Sequence, residues 1–178
     1  MAEALTRYVQ LLGQIDAFEA RVEAGQGAYL QCGRGCDGCC RTRRTAWAVE
    51  VASVRRWLAE APPALLERLQ QRRQDPSVLD GDRCVFLNEE GACDVYPVRP
   101  VICRTHGPAA QTEEGLVWCG LNFEGIDAEA VAELVPSTAM LDLDRLNTIL
   151  VLINNLHLAA HPGDPRPALE AALDPDQP

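Results

Sequence analysis

Four cysteines fall within nine residues, in the run Cys32-Gly-Arg-Gly-Cys36-Asp-Gly-Cys39-Cys40, and four more follow at wider intervals as Cys84, Cys93, Cys103 and Cys119. A stretch this rich in glycine and cysteine shows neither the apolar period of a helix nor the alternation of a strand, so residues 28–44 are read as a loop. Its glycines let the backbone wrap closely around something. Thiolate is the soft ligand selected by zinc, copper(I) and iron–sulfur clusters, and thiolates converging from separate segments satisfy a four-coordinate centre. Metal binding is the expected chemistry, ahead of a disulfide network or a set of buried reduced thiols.

The spacing bears on which metal. Small zinc sites are usually built from two C-x2-C pairs, and here only Cys36 and Cys39 fit that spacing cleanly. A C-x3-C-x2-C run is instead used for four-iron clusters, where three close thiolates seat three irons. The reading tilts toward an iron–sulfur cluster and leaves zinc open. Neighbouring side chains on an extended segment point to opposite sides, so Cys39 and Cys40 are not expected to ligate one ion. Either one is not a ligand, or there are two centres or one multinuclear cluster. One partition gives Cys32, Cys36 and Cys39 to a first centre and Cys40, Cys84, Cys93 and Cys103 to another, and the spacing does not choose it. Cys119 and His106, the latter three residues after Cys103, are further candidate ligands.

All 16 basic residues are arginine, which excludes Schiff-base, phosphate-loop and general-base lysine chemistry. Net charge is −10, which argues against nucleic acid or an anionic membrane as a partner. Arginines nevertheless crowd the cysteine segments, as Arg34, Arg41, Arg43, Arg44, Arg99 and Arg104. A four-thiolate zinc or four-iron site carries net negative charge that guanidinium groups offset, and Arg41 and Arg104 are the candidates for contact with the cofactor. No targeting or membrane-spanning segment is read at the start of the chain or elsewhere. A cytoplasmic protein is expected, where reduced cysteines favour metal or redox chemistry.

The remaining segments are mostly helical. Leu5, Tyr8, Leu12, Ile15 and Val22 recur at helical steps over residues 2–24, and further helices are expected at 46–59, 64–74, 127–134 and 142–160, with a single turn at 101–103. Cys84–Tyr96 reads as a β-hairpin turning at Asn88–Gly91, and Gly115–Cys119 as a short strand. The expected fold class is α+β, a mainly helical small domain with a short cysteine-rich hairpin and irregular metal-binding loops. Residues 1–161 form one domain, and 162–178, with five prolines, a mobile tail. The helix at 142–160 is apolar on nearly every side, so it is central or a contact for a protein partner or a second copy, with Asn154 and Asn155 at a partner contact or on its exposed edge. His157 reads as a core or interface residue, and Trp118 as core or as a shield for a centre at Cys119.

Three pieces, Cys32-Gly-Arg-Gly-Cys36-Asp-Gly-Cys39-Cys40-Arg41, then Cys84-Val-Phe-Leu with Gly91-Ala-Cys93-Asp-Val-Tyr96, then Arg99-Pro100-Val-Ile-Cys103-Arg104, resemble the YkgJ-type cysteine-cluster proteins, the CxxCxxCC family of zinc- or iron-chelating domains. The resemblance covers about residues 28–107. It implies a metal-chelating domain with Cys32, Cys36, Cys39, Cys40, Cys84, Cys93 and Cys103 as ligands. A related cysteine pattern in flagellin lysine methylases keeps an enzyme in view. The expected function is a metal-binding redox or accessory module; the alternative is a metal-dependent enzyme, methyltransferase-like or radical-type. Against the alternative, the sequence offers no cofactor turn and no nucleophile–base set beside the cysteines.

Overall fold

The computed structural model describes residues 2–33 and 35–174. Its longest element, α1 (Ala2–Gln26), buries the apolar stripe read from the sequence, with Leu5, Tyr8, Leu12, Ile15, Phe18 and Val22 all inside. This face packs on α2 (Ala48–Ala59) and α7 (Leu143–Ala160) in a core that joins Leu5, Tyr8 and Leu12 to Val49, Leu146, Leu150 and Ile153. Asp142 caps α7 by accepting from the Arg145 amide, and Asp127 caps α6 (Ala128–Leu134) in the same way through Ala130.

Helix α2 divides the interior. Its Val49 faces the three-helix core, while Val51, Val54 and Leu58 face a second core with Leu65 and Leu69 of α3 (Pro63–Arg72), Val78 of α4 (Pro76–Leu79), and the consecutive Val85, Phe86 and Leu87. After α5 (Val101–Thr105) come β1 (Ala110–Thr112) and β2 (Gly115–Val117), and after α6 comes β3 (Leu141–Asp142); β1 pairs antiparallel with β2 and parallel with β3, in the order β2-β1-β3. The fold is thus a mainly helical α+β domain.

The expected hairpin at Cys84–Tyr96 does reverse at Asn88–Gly91, but its pairing stops at one bridge, Leu87 to Cys93. The reason is that its backbone groups are taken by side chains. Arg72 donates to the Val85 carbonyl at 3.0 Å, Arg83 to the Leu87 carbonyl at 2.9 Å, and Asn88 Oδ1 accepts from the amides of Glu90 and Ala92. Three successive buried side chains also break the alternation a half-buried strand needs. The sheet hairpin forms instead at 110–117, where only the second strand was expected.

Residues 162–174 were expected to be mobile and are instead a packed strap. Prolines cannot donate, but their carbonyls accept: Ala46 N–H donates to Pro167 and Ala48 N–H to Pro165, each at 3.1 Å. Thr45 bridges Ala168, Leu169 N–H donates to the Arg44 carbonyl at 2.8 Å, and the turn Leu169–Leu173 buries Leu169, Ala172 and Leu173 against α2 and α3. Residues 175–178 lie outside the described residues. Asn154 holds this strap from within. Fully buried, it accepts from the Val49 amide at 3.1 Å and donates to the Pro165 carbonyl at 3.3 Å, which corrects its reading as a partner contact or an exposed edge.

Candidate metal centre

The cysteine loop is built from consecutive tight turns. Cys36 N–H closes onto the Gly33 carbonyl at 3.0 Å around Gly35, whose φ of +92° suits only glycine, and Cys40 N–H closes onto Asp37 at 2.7 Å. Gly38–Cys40 is one turn of 3-10 helix. The adjacent cysteines therefore sit on a 3-10 turn and not on the extended segment from which their opposed side chains were argued. The side chains of Cys39 and Cys40 are neighbours on this turn, each acting on the other's proton.

The other four cysteines are brought to this turn by backbone contacts. Cys84 N–H donates to the Cys40 carbonyl at 2.9 Å, and Cys93 is fixed by its bridge to Leu87. Cys103 rides on α5, and Cys119 N–H donates to the Gly107 carbonyl at 3.2 Å. Gly107 lies so close to Cys32 that any Cβ there would overlap the Cys32 Sγ. As a result all eight cysteines line one cavity of about 910 Å³, and His106 lines it with them. None of the eight is in a disulfide. Among the described residues no three His, Cys, Asp or Glu side chains are gathered closely enough to hold a single metal ion; the thiols are spread around the cavity wall.

Their electrostatics are those of donors crowded together. Burial raises the thiols of Cys32 and Cys84, and pushes Cys93 up to about 11 and Cys103 up to about 12. Neighbouring thiols push Cys93 and Cys103 further in the same direction, Cys84 acting on Cys93, and Cys84, Cys93 and Cys39 acting on Cys103. Cys39 is the exception, lowered to about 6 by the hydrogen bond from Cys40, with His106 and Arg44 assisting, while Cys40 rises as the donor of that bond. A soft cation entering such a set displaces protons from thiols that hold them against mutual repulsion, so the donor chemistry fits a metal.

Arg44, Arg99 and Arg104 line the cavity, and each is committed to the backbone of a cysteine segment. Arg44 donates from Nε at 2.9 Å, and from a second nitrogen, to the Cys39 carbonyl. Arg99 lies over the Tyr96 ring at 3.7 Å and donates to the Cys103 carbonyl at 3.2 Å. Arg104, buried, donates to the carbonyls of Arg99 at 2.9 Å and Pro97 at 2.7 Å and pairs with Asp16. Arg104, expected as a cofactor contact, thus lines the cavity and also braces the turn before α5. Arg41, the other residue expected to contact a cofactor, is exposed, pairs with Asp37 at 2.6 Å and is not among the lining residues. Arg43 pairs with Glu170 of the strap, and Arg34 lies outside the described residues.

Two contributors had no sequence signal. Asn122, buried, accepts from the Gln31 amide at 2.8 Å and donates to the Gly107 carbonyl at 2.7 Å and to Cys32 Sγ at 3.4 Å. It is aimed by Phe123, which takes a φ of +54° rare for an aromatic residue and is held there by the rings of Tyr29 and Trp118, each 6.0 Å away. Trp118 thus packs on Phe123 and is not among the residues lining the cavity. The other contributor is α1, whose Asp16, Glu19 and Glu23 form an acidic part of the wall.

A helical shell closed around a cavity of unbridged thiols defines a class, that of metal-chelating cysteine-cluster domains. The chain belongs to the CxxCxxCC family, described as "Putative zinc- or iron-chelating domain", whose pattern matches residues 31–120. No curated protein and no solved structure matches the chain.

Proposed function

We propose that this protein holds an iron–sulfur cluster, in preference to zinc, and acts as a redox or accessory module in the cytoplasm. The observation that carries the reading is the convergence of eight free thiols from four separate stretches of chain on one cavity of about 910 Å³. That is more thiolate and more room than a single tetrahedral ion uses, and it suits a centre whose ligands sit on different metal atoms. Cys32, Cys36, Cys39, Cys40, Cys84, Cys93, Cys103 and Cys119 would supply the ligands, with His106 as a further donor beside Cys39. Arg44 and Arg99 hold the ligand-bearing turns and offset the negative charge. When bound, such a centre supplies one-electron chemistry; the chain's own residues orient it and restrict water.

The test is purification without oxygen, followed by a visible spectrum and metal analysis by mass spectrometry. A brown protein containing iron and sulfide is expected. A colourless protein with stoichiometric zinc would overturn the cluster and keep the metal, and a protein without metal would overturn both.

A partner reading rests on α7. Leu146, Leu150 and Ile153 are spent on the chain's own core, whereas Ile149, Leu152 and Leu156 form an exposed stripe, Leu152 being 64 % exposed. A protein partner or a second copy would cover it. The enzyme alternative, methyltransferase-like or radical-type, draws on one feature, a cavity whose wall carries His106 and the half-buried Glu19 as well as the thiols. A small molecule retained in the metal-loaded protein would favour it.

A further inference from the structure

The geometry points to two adjoining four-thiolate centres, one held by Cys32, Cys36, Cys39 and Cys119 and the other by Cys40, Cys84, Cys93 and Cys103, with the Gly38–Cys40 turn giving one thiol to each. The inference rests on the metal-binding reading and deepens it by assigning ligands and number.

The first set is assembled around Asn122. Its side-chain amide touches both Cys32 Sγ and the Gly107 carbonyl, and that same carbonyl receives the Cys119 amide, so Cys32 and Cys119 share one anchor although far apart in sequence. The missing Cβ of Gly107 is what lets Cys32 reach it. Cys36 closes the turn that begins at Gly33, directly after Cys32, and Cys39 lies on the turn that follows it.

The second set has a separate scaffold. The Cys40 carbonyl receives the Cys84 amide, and Cys84 leads directly into the short reversal that Leu87 and Cys93 close. Cys103 enters from α5, with Arg99 on its carbonyl, and its thiol neighbours are Cys84, Cys93 and Cys39. Cys40 in turn neighbours Cys39, Cys84 and Cys103. The thiol neighbours found for Cys40, Cys93 and Cys103 are drawn from Cys39, Cys84, Cys93 and Cys103, so the sets meet at the Gly38–Cys40 turn. Adjacent residues in one 3-10 turn are close enough to hold two centres side by side. The spread of the thiols, too wide for one ion, matches ligands that each bind a different metal atom of a cluster.

The test counts metal on the anaerobically purified full chain and on two variants, Cys119→Ser and Cys93→Ser. The unaltered protein is expected to carry two centres per chain. Each single variant is expected to lose about half of the metal and half of the visible absorbance, and the double variant all of it. The native count needs no variant to fold: metal equivalent to one centre overturns the inference while leaving the metal-binding reading intact. Loss of all metal from either single variant with a native circular dichroism spectrum, or no loss from either, also overturns it. A native protein without any metal overturns both readings together.

Discussion

Asn122 shows how much a single buried amide can decide. Replacing it by aspartate keeps the acceptor for the Gln31 amide but turns the group facing Cys32 Sγ and the Gly107 carbonyl from a donor into an acceptor. Asn122→Asp is therefore expected to cost about 1–3 kcal/mol of stability, read by urea unfolding, and to move the maleimide reactivity of Cys32 to higher pH. An unchanged reactivity profile would mean that the amide does not support the thiolate. His157 governs a different dependence. It is 4 % exposed, and burial, with the charges of His161 and Arg55 adding to it, lowers its pKa below the ordinary 6.5. Between the two values the unfolded chain binds the proton that the folded one refuses, so stability is full above the unfolded value and falls as pH drops through it. His157→Gln is expected to flatten this loss between about pH 7 and 5 in thermal melts, relative to the unaltered protein. Equal slopes in the two proteins would exclude His157 as the titrating group.

At the scale of elements, Glu50 joins three helices that the sequence keeps apart. Buried to 2 % exposure, its carboxylate accepts from the Trp47 amide at the start of α2, from the Val101 amide at the start of α5 at 2.7 Å, and from the Tyr8 hydroxyl of α1. Glu50→Ala leaves the buried Val101 amide and Tyr8 hydroxyl and the part-buried Trp47 amide without this partner, for an expected cost of ~3 kcal/mol, and loosens the helix that carries Cys103. Denaturant unfolding measures the first effect, and a lower metal content in the folded variant the second. Neither this role nor that of Asn122 was legible in the sequence, because each rests on one polar residue whose partners lie 51 and 91 residues away. The helices were legible because their apolar positions repeat, and Asp127 and Asp142 marked two starts. The convergence of the cysteines was legible from thiol chemistry alone. The turn that sets Cys39 beside Cys40 was not, since an extended chain was assumed where three residues close into a 3-10 turn.

For the whole molecule, the thiol loop depends on what it binds. None of the described residues from 28 to 45 is buried, so the loop has little apolar anchorage, whereas α1, α2 and α7 share a full core. Metal removal under anaerobic conditions is expected to lower the melting temperature, because binding free energy to a loop of this kind is folding free energy. It is also expected to expose residues 28–44 to protease before the helices. Apo- and metal-loaded proteins that melt together would show that the loop holds itself. The strap adds a consequence in time. Leu169 lines the same cavity as the cysteines, and its amide docks on Arg44, immediately after the thiol loop. On a ribosome those residues emerge after all eight cysteines, so a nascent chain presents its thiols with one wall of their enclosure still unmade. A metal taken up by the thiols at that stage would meet the cavity without the side that Leu169 later supplies.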